Sequence, residues 1–167
     1  ALRVVMIGGS LGSGKTSLLQ RLLDKSGGLR LAVIVNEFGA LSIDGALLAR
    51  AGTDIVELTN GCVCCTIGGD LSFAIHRVLE RARPDALVIE LSGVADPYPI
   101  FRELSLLQAD LDTANIVAMV DMTREPRVAA SDVVLLRLLS EASTVILNKR
   151  DLVDEARTTA WTQTPQN

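Results

Sequence analysis

The chain has 167 residues, enough to bury one sizeable core. Its 49% apolar content excludes a disordered polymer, and aromatics at only 3% make that core aliphatic. Sixteen basic against twenty acidic residues leave a net charge of −4, which argues against a general nucleic-acid binder.

No apolar run approaches the roughly 18–20 residues that span a bilayer. The N-terminus enters a strand-like run at once and has no basic segment followed by an apolar one and a cleavage site. The three cysteines, Cys62, Cys64 and Cys65, crowd into four positions. They form no disulfide framework and read as a reduced, metal-capable cluster, for which a cytoplasmic location is expected.

Taken in chain order, 3–8 reads as a buried strand and 15–25 as a helix with Leu18, Leu19, Leu22 and Leu23 on one stripe, closed by Gly27 and Gly28. Strands are expected at 31–36 and 54–59. A helix over 69–83 buries Leu71, Ile75, Val78, Leu79 and Ala82, stops at Pro84, and leaves His76 solvated. Then come a strand at 86–91, a helix at 98–107, a strand at 115–121, a helix at 132–142 capped by Ser131, and a last strand at 144–148. This alternation defines an α/β fold with a mostly parallel sheet and helices on both faces. A single domain is expected over 1–157, with 158–167 as a frayed, disordered tail.

Gly9-Ser10-Leu11-Gly12-Ser13-Gly14-Lys15-Thr16 matches the P-loop pattern G-x-x-x-x-G-K-[ST], between a strand and a helix. Glycines let the backbone curl so that successive N–H groups face a phosphate, and the helix that follows from Lys15, with Ser17 in its first turn, adds its positive end. Lys15 supplies a charge to the phosphate oxygens, and the Thr16 hydroxyl is a Mg²⁺ ligand. Asn148-Lys149-Arg150-Asp151 follows the last strand, at the sheet edge where ligands bind in open α/β folds. An Asp151 carboxylate accepts from guanine N1–H and the exocyclic amine, whereas adenine leaves it unpaired. Asn148 suits the N7/O6 edge, and the Lys149 stem can lie over the ring.

Glu90 ends an apolar run and is placed to hold Mg²⁺, with the Gly93 N–H available to a γ-phosphate. Asp121 is a rival carboxylate with similar placement. Thiolates at Cys62, Cys64 and Cys65 suit Zn²⁺ or a similar cation at roughly 2.3 Å, with a further ligand from elsewhere, Glu37 being a candidate. The loop from Asn36 to Gly45 has the position of a switch segment that depends on the γ-phosphate. Glu37 and Asp44 are candidates to position the attacking water.

Together these motifs resemble the CobW-like P-loop GTPases, the cobalamin-synthesis and zinc-homeostasis metallochaperones. The resemblance rests on 9–16, Asn36-Glu37-Phe38-Gly39, Gly61-Cys62-Val63-Cys64-Cys65, Glu90-Leu91-Ser92-Gly93 with Ala95-Asp96-Pro97, and 148–151, in the family's order over residues 3–153. It implies a metal-responsive GTPase that binds GTP and Mg²⁺ and delivers zinc, cobalt or a similar metal to a client metalloprotein. A homodimer is compatible with it, and neither nucleic acid nor membrane is expected as a partner. The nucleotide-binding set it implies is Gly9, Gly12, Ser13, Gly14, Lys15, Thr16, Ser17, Gly93, Asn148, Lys149 and Asp151. Lys15, Thr16 and Glu90 are the catalytic set, and Cys62, Cys64 and Cys65 hold the transition metal. Measured against the family, the GTPase domain is expected to be truncated at its C-terminal end. A P-loop kinase of a small metabolite using ATP, and a non-catalytic metal-binding module, are the alternative readings.

Overall fold

The structure is a computed structural model, and it describes residues 2–35, 54–57, 75–76, 80, 83–91, 98–106, 111–129 and 131–163. Six strands are described: β1 (Leu2–Gly9), β2 (Leu31–Val35), β3 (Asp54–Glu57), β4 (Ala86–Glu90), β5 (Leu111–Asp121) and β6 (Thr144–Asn148). The helices are α1 (Lys15–Asp24), α2 (Tyr98–Leu106), the short α3 (Pro126–Ala129), α4 (Val133–Glu141) and α5 (Glu155–Gln163), with a 3₁₀ turn at Arg150–Leu152. Ile75, His76 and Glu80 also have helical backbone, as the 69–83 periodicity predicts, and His76 is exposed.

The strands form one sheet in the order β3-β2-β4-β1-β5-β6, and every pair is parallel. A parallel sheet needs cover on both faces, and the strand sequences supply apolar side chains to both. In β1, Val4 and Met6 pack on one side while Val5 and Ile7 pack on the other. The same period of two places Ala32 and Ile34 of β2, Leu87 and Ile89 of β4, and Ile116, Ala118 and Val120 of β5 on the first side. Ile75, Ile100 and Leu104 of α2, Leu135 and Leu138 of α4, and Trp161 of α5 cover that face. Leu19 and Leu23 of α1 cover the other face, against Val33, Val88 and Met119. Leu22, expected on the buried stripe of α1, is 39% exposed, because the contact with the sheet is narrow and runs along the i, i+4 pair.

Three expectations are corrected. The cap of α4 is Asp132, not Ser131: its Oδ1 accepts from the Leu135 N–H at 3.0 Å. The β5 strand begins at Leu111 rather than Asn115, since the β1 partner is long enough to pair with it from Leu2 onward. Of the segment expected as a frayed tail, 158–163 is helical, because α5 runs through Gln163, while 164–167 lie outside the described residues. Trp161 is only 7% exposed, and its Nε1–H donates to the Met122 carbonyl at 3.1 Å. One anchored indole fixes a helix that otherwise presents polar side chains, since an aromatic ring buries a large area and its N–H needs a partner.

All six strands run the same way, so their carboxyl ends share one edge. Gly9, Glu90, Asp121 and Asn148 each end a strand there. Register fixes their spacing: Ile7 pairs with Glu90, Gly9 with Met119, and Asp121 with Asn148.

Candidate functional site: a phosphate loop joined to a base motif

Between β1 and α1 the chain makes a tight loop in which Gly9, Gly12 and Gly14 have φ of +148°, +75° and +100°. At Gly9 a Cβ would lie 2.4 Å from the Met119 carbonyl oxygen, and at Gly14 it would lie 2.3 Å from Asn148 Nδ2. These glycines are therefore required by both dihedral and space. Gly12 has open space around it. Gly14 is the N-cap of α1 and brings no side chain to cap it. The helix N-terminus so exposed is a site for an anion.

Lys15 is 7% exposed, and its Nζ donates to the Gly9 and Ser10 carbonyls at 3.0 and 3.1 Å. Its ammonium thus lies across the loop, at the place where a phosphate oxygen accepts from it in a loop of this type. Ser13 is fully buried, and its Oγ has no hydrogen-bond partner among the described residues. A cradle walled by glycines, floored by a buried lysine and holding an orphaned hydroxyl fits a polyphosphate. Ser17 lies exposed in the first turn of α1.

Thr16 Oγ1 donates to Glu90 Oε1 at 3.0 Å, and Glu90 is 4% exposed. The β4 strand carries Glu90 beside β1, so two hard oxygen donors 74 positions apart in sequence meet at the mouth of the loop. Their chemistry fits Mg²⁺, which prefers oxygen ligands and is commonly held by one carboxylate, a hydroxyl and the substrate's phosphates.

Asp121, the rival carboxylate, sits on the other side of β1 and serves the base motif. Its Oδ2 accepts from Lys149 Nζ at 2.6 Å, and its Oδ1 accepts from the Thr123 N–H and hydroxyl at 2.9 and 2.6 Å. Burial pushes this carboxyl up, but the hydrogen bonds from Lys149 and Thr123, with the lysine charge, outweigh it and hold the group below its ordinary 3.8. A carboxylate depressed in the fold stabilises it above the unfolded value, and the contribution is lost as pH falls through the folded value. Asp121→Asn is therefore expected to be less stable than the parent at neutral pH, with the difference shrinking on acidification below about pH 4. Urea unfolding across that range checks it, and a difference that stays constant contradicts it.

Lys149 adopts a left-handed backbone, φ +62°, which swings the chain from β6 into the 3₁₀ turn that carries Asp151. Asp151 is exposed, and its carboxylate accepts no hydrogen bond among the described residues, so it is available to a ligand. Asn148 does not stand free, as its expected reach to a base edge requires of it: Nδ2 donates to the Ser13 carbonyl at 2.8 Å. One amide therefore ties the base motif to the phosphate loop.

Sequence reading missed Arg124. It lies on the turn after β5, donates from Nη1 to the hydroxyl of Ser10 in the phosphate loop, and pairs with Asp132 Oδ2 at 3.4 Å. No short motif marks an arginine there, and only the fold brings it to a residue 114 positions away. Glu37, Asp44, Cys62, Cys64, Cys65 and Gly93 lie outside the described residues. Among the described residues no group of three metal-ligating side chains forms, and no helix is long and apolar enough to cross a membrane.

The parallel sheet, the glycine loop closed by Lys15 and Thr16, and the base motif at the same edge define a P-loop nucleotide-binding domain. A family model described as CobW/HypB/UreG, nucleotide-binding domain, matches residues 3–166. The chain belongs to that family. It is 34% identical over 180 residues to the zinc chaperone CobW of Sinorhizobium sp, covering 89% of this chain and 51% of the relative. It is also 34% identical over 165 residues to the zinc chaperone YjiA of Escherichia coli K12, covering 93% and 51%. Among solved structures it is similar to the Zn(II)-bound YjiA GTPase from E. coli, with a TM-score of 0.70 and 26% identity over 96% of this chain and 53% of that one. The chain spans about half the length of the curated relatives it matches.

Proposed function

We propose that this protein binds and hydrolyses GTP and uses the nucleotide cycle to handle a transition metal, zinc or a cation of similar chemistry, for a client metalloprotein. The observation that carries the nucleotide half is the Asn148 amide on the Ser13 carbonyl at 2.8 Å. It joins a phosphate cradle and a guanine-selective motif into one site, which a chance N-K-x-D turn has no reason to do.

In this reading the glycine loop and the α1 N-terminus bind the phosphates through backbone N–H groups, and Lys15 neutralises their charge. Thr16 and Glu90 hold Mg²⁺, which when bound neutralises charge on the phosphate oxygens. Asp151 selects guanine, Lys149 is steadied over the base by Asp121, and Asn148 fixes the distance between base and phosphates. Gly93 supports the terminal phosphate. Positioning and charge stabilisation carry most of phosphoryl transfer, so a buried, pre-arranged cradle suits it. The domain extends through α5, since Trp161 belongs to its core.

The cargo site is Cys62, Cys64 and Cys65, with Glu37 as an added ligand. Support comes from thiolate chemistry and from the relatives named zinc chaperones. The test is a zinc titration in reducing buffer of the parent and of the Cys62→Ser, Cys64→Ser, Cys65→Ser triple variant. The parent is expected to retain zinc against a competing chelator and the variant to release it. Equal retention removes the metal-handling half and leaves a nucleotide-binding protein.

A further inference from the structure

We infer that Arg124 is a second cation directed at the phosphate site, one that recognises the terminal phosphate of a nucleoside triphosphate. The inference rests on the guanine-nucleotide reading above and extends it to a residue that no P-loop or base motif contains.

The argument begins with position. Lys15 Nζ lies on the Ser10 carbonyl at 3.1 Å, and Arg124 Nη1 lies on the hydroxyl of the same serine. Two cations from distant parts of the chain therefore converge on one residue in the first half of the phosphate loop. Lys15 marks where phosphate oxygens accept, so the guanidinium stands at the rim of that charge. A lone lysine is a point charge, whereas a guanidinium offers a planar fork that matches a phosphate's oxygens.

The way Arg124 is held points the same way. Its backbone is fixed: its N–H donates to the Asp121 carbonyl at 3.2 Å, and its own carbonyl accepts from Arg157 Nη1 at 3.2 Å. The neighbouring Met122 carbonyl accepts from buried Trp161. Arg157 also pairs with Glu125, so α5 clamps the turn on both sides of Arg124. The head is held less firmly. Its hydroxyl partner is neutral, and its carboxylate partner is 3.4 Å away with both side chains about a third exposed. An ion pair of that kind contributes little in water. A fixed base with a loosely held fork lets the guanidinium exchange Ser10 and Asp132 for a phosphate without moving the backbone. Asp132 is committed elsewhere in any case, since its other oxygen caps α4.

A purely structural role makes a different prediction. If Arg124 only latches the loop to α4, losing it disturbs the whole cradle and affects diphosphate and triphosphate alike. The experiment measures affinity for GDP and for a non-hydrolysable GTP analogue, each with Mg²⁺, in the parent, Arg124→Ala, Arg124→Lys and Asp132→Asn. Asparagine keeps the α4 cap and removes the ion pair. Arg124→Ala is expected to weaken the triphosphate analogue roughly tenfold to a hundredfold, the scale of a lost charge-assisted contact, with GDP unchanged within about threefold. Arg124→Lys is expected to restore part of the preference, and Asp132→Asn to keep all of it. Parallel loss of both nucleotides in Arg124→Ala, no loss of either, or the same loss in Asp132→Asn overturns the inference. A parent protein that binds neither nucleotide overturns the guanine-nucleotide reading itself, a result distinct from those three.

Discussion

Gly14→Ala is expected to abolish useful affinity for guanine nucleotides while the chain stays folded. The substituted residue meets two obstacles at once. Its φ of +100° is a conformation that L side chains rarely adopt. Its Cβ would also lie 2.3 Å from Asn148 Nδ2, so something must shift. The amide is the mobile partner, but moving it breaks the 2.8 Å bond to the Ser13 carbonyl that joins the two halves of the site. Backbone strain of about 1–3 kcal/mol and a lost hydrogen bond of about 1 kcal/mol combine to about 2–4 kcal/mol. That corresponds to roughly thirtyfold to a thousandfold in GDP affinity. Fluorescence titration with a labelled GDP, beside thermal unfolding of the same variant, checks the result. Parent-like affinity in a folded variant contradicts the joined-site geometry.

The second large effect is at Asp151. Its carboxylate is exposed and accepts no hydrogen bond among the described residues, so replacing it costs the fold little, within about ±0.5 kcal/mol for a surface position of this kind. Its cost falls on recognition. Guanine offers two donors side by side, N1–H and the exocyclic amine, and a carboxylate accepts both. An asparagine accepts one and turns its own N–H donor against the other, so that two donors face each other without an acceptor between them. Asp151→Asn is expected to lower GDP affinity roughly a hundredfold to ten-thousandfold. Xanthine carries an oxygen where guanine has the amine, so the same variant is expected to gain affinity for xanthosine diphosphate. Calorimetry with both ligands on both proteins reads the exchange. An unchanged GDP affinity places the base elsewhere.

Much of this architecture was legible in the residues, for identifiable physical reasons. The bounds of β6 follow from a short β-branched run closed by a polar turn, and α1 from the leucine pairs that follow Lys15. The phosphate loop and the base motif are local, because the backbone geometry each needs is written in consecutive residues. What escaped is either weakly periodic or non-local. The sequence of α5, Glu155 to Gln163, contains three threonines and one large apolar residue, so no amphipathic stripe announces it. Its stability comes from one indole meeting a carbonyl on the turn after β5. The cap of α4 was expected at Ser131 and falls at Asp132, since both residue types cap well and only backbone geometry decides.

The two strand-end carboxylates teach the same lesson. Glu90 and Asp121 both close apolar runs, and locally only Gly93, three residues after Glu90, favours one over the other. Strand order does: β4 brings Glu90 to Thr16 on one side of β1, while β5 brings Asp121 to Lys149 on the other. Arg124 was invisible for the same reason, since its partner Ser10 is reached only through the placement of β5 beside β1.

The central claim is that one edge of the sheet holds a guanine nucleotide, phosphates in the glycine loop and base against Asp151. Calorimetric titration of the parent protein with GDP and with ADP, each with Mg²⁺, tests it most directly. GDP is expected to bind at least roughly a hundredfold more tightly than ADP. Equal affinities, or a preference for ADP, contradict the claim and favour an adenine-nucleotide enzyme in which 148–151 is only a turn.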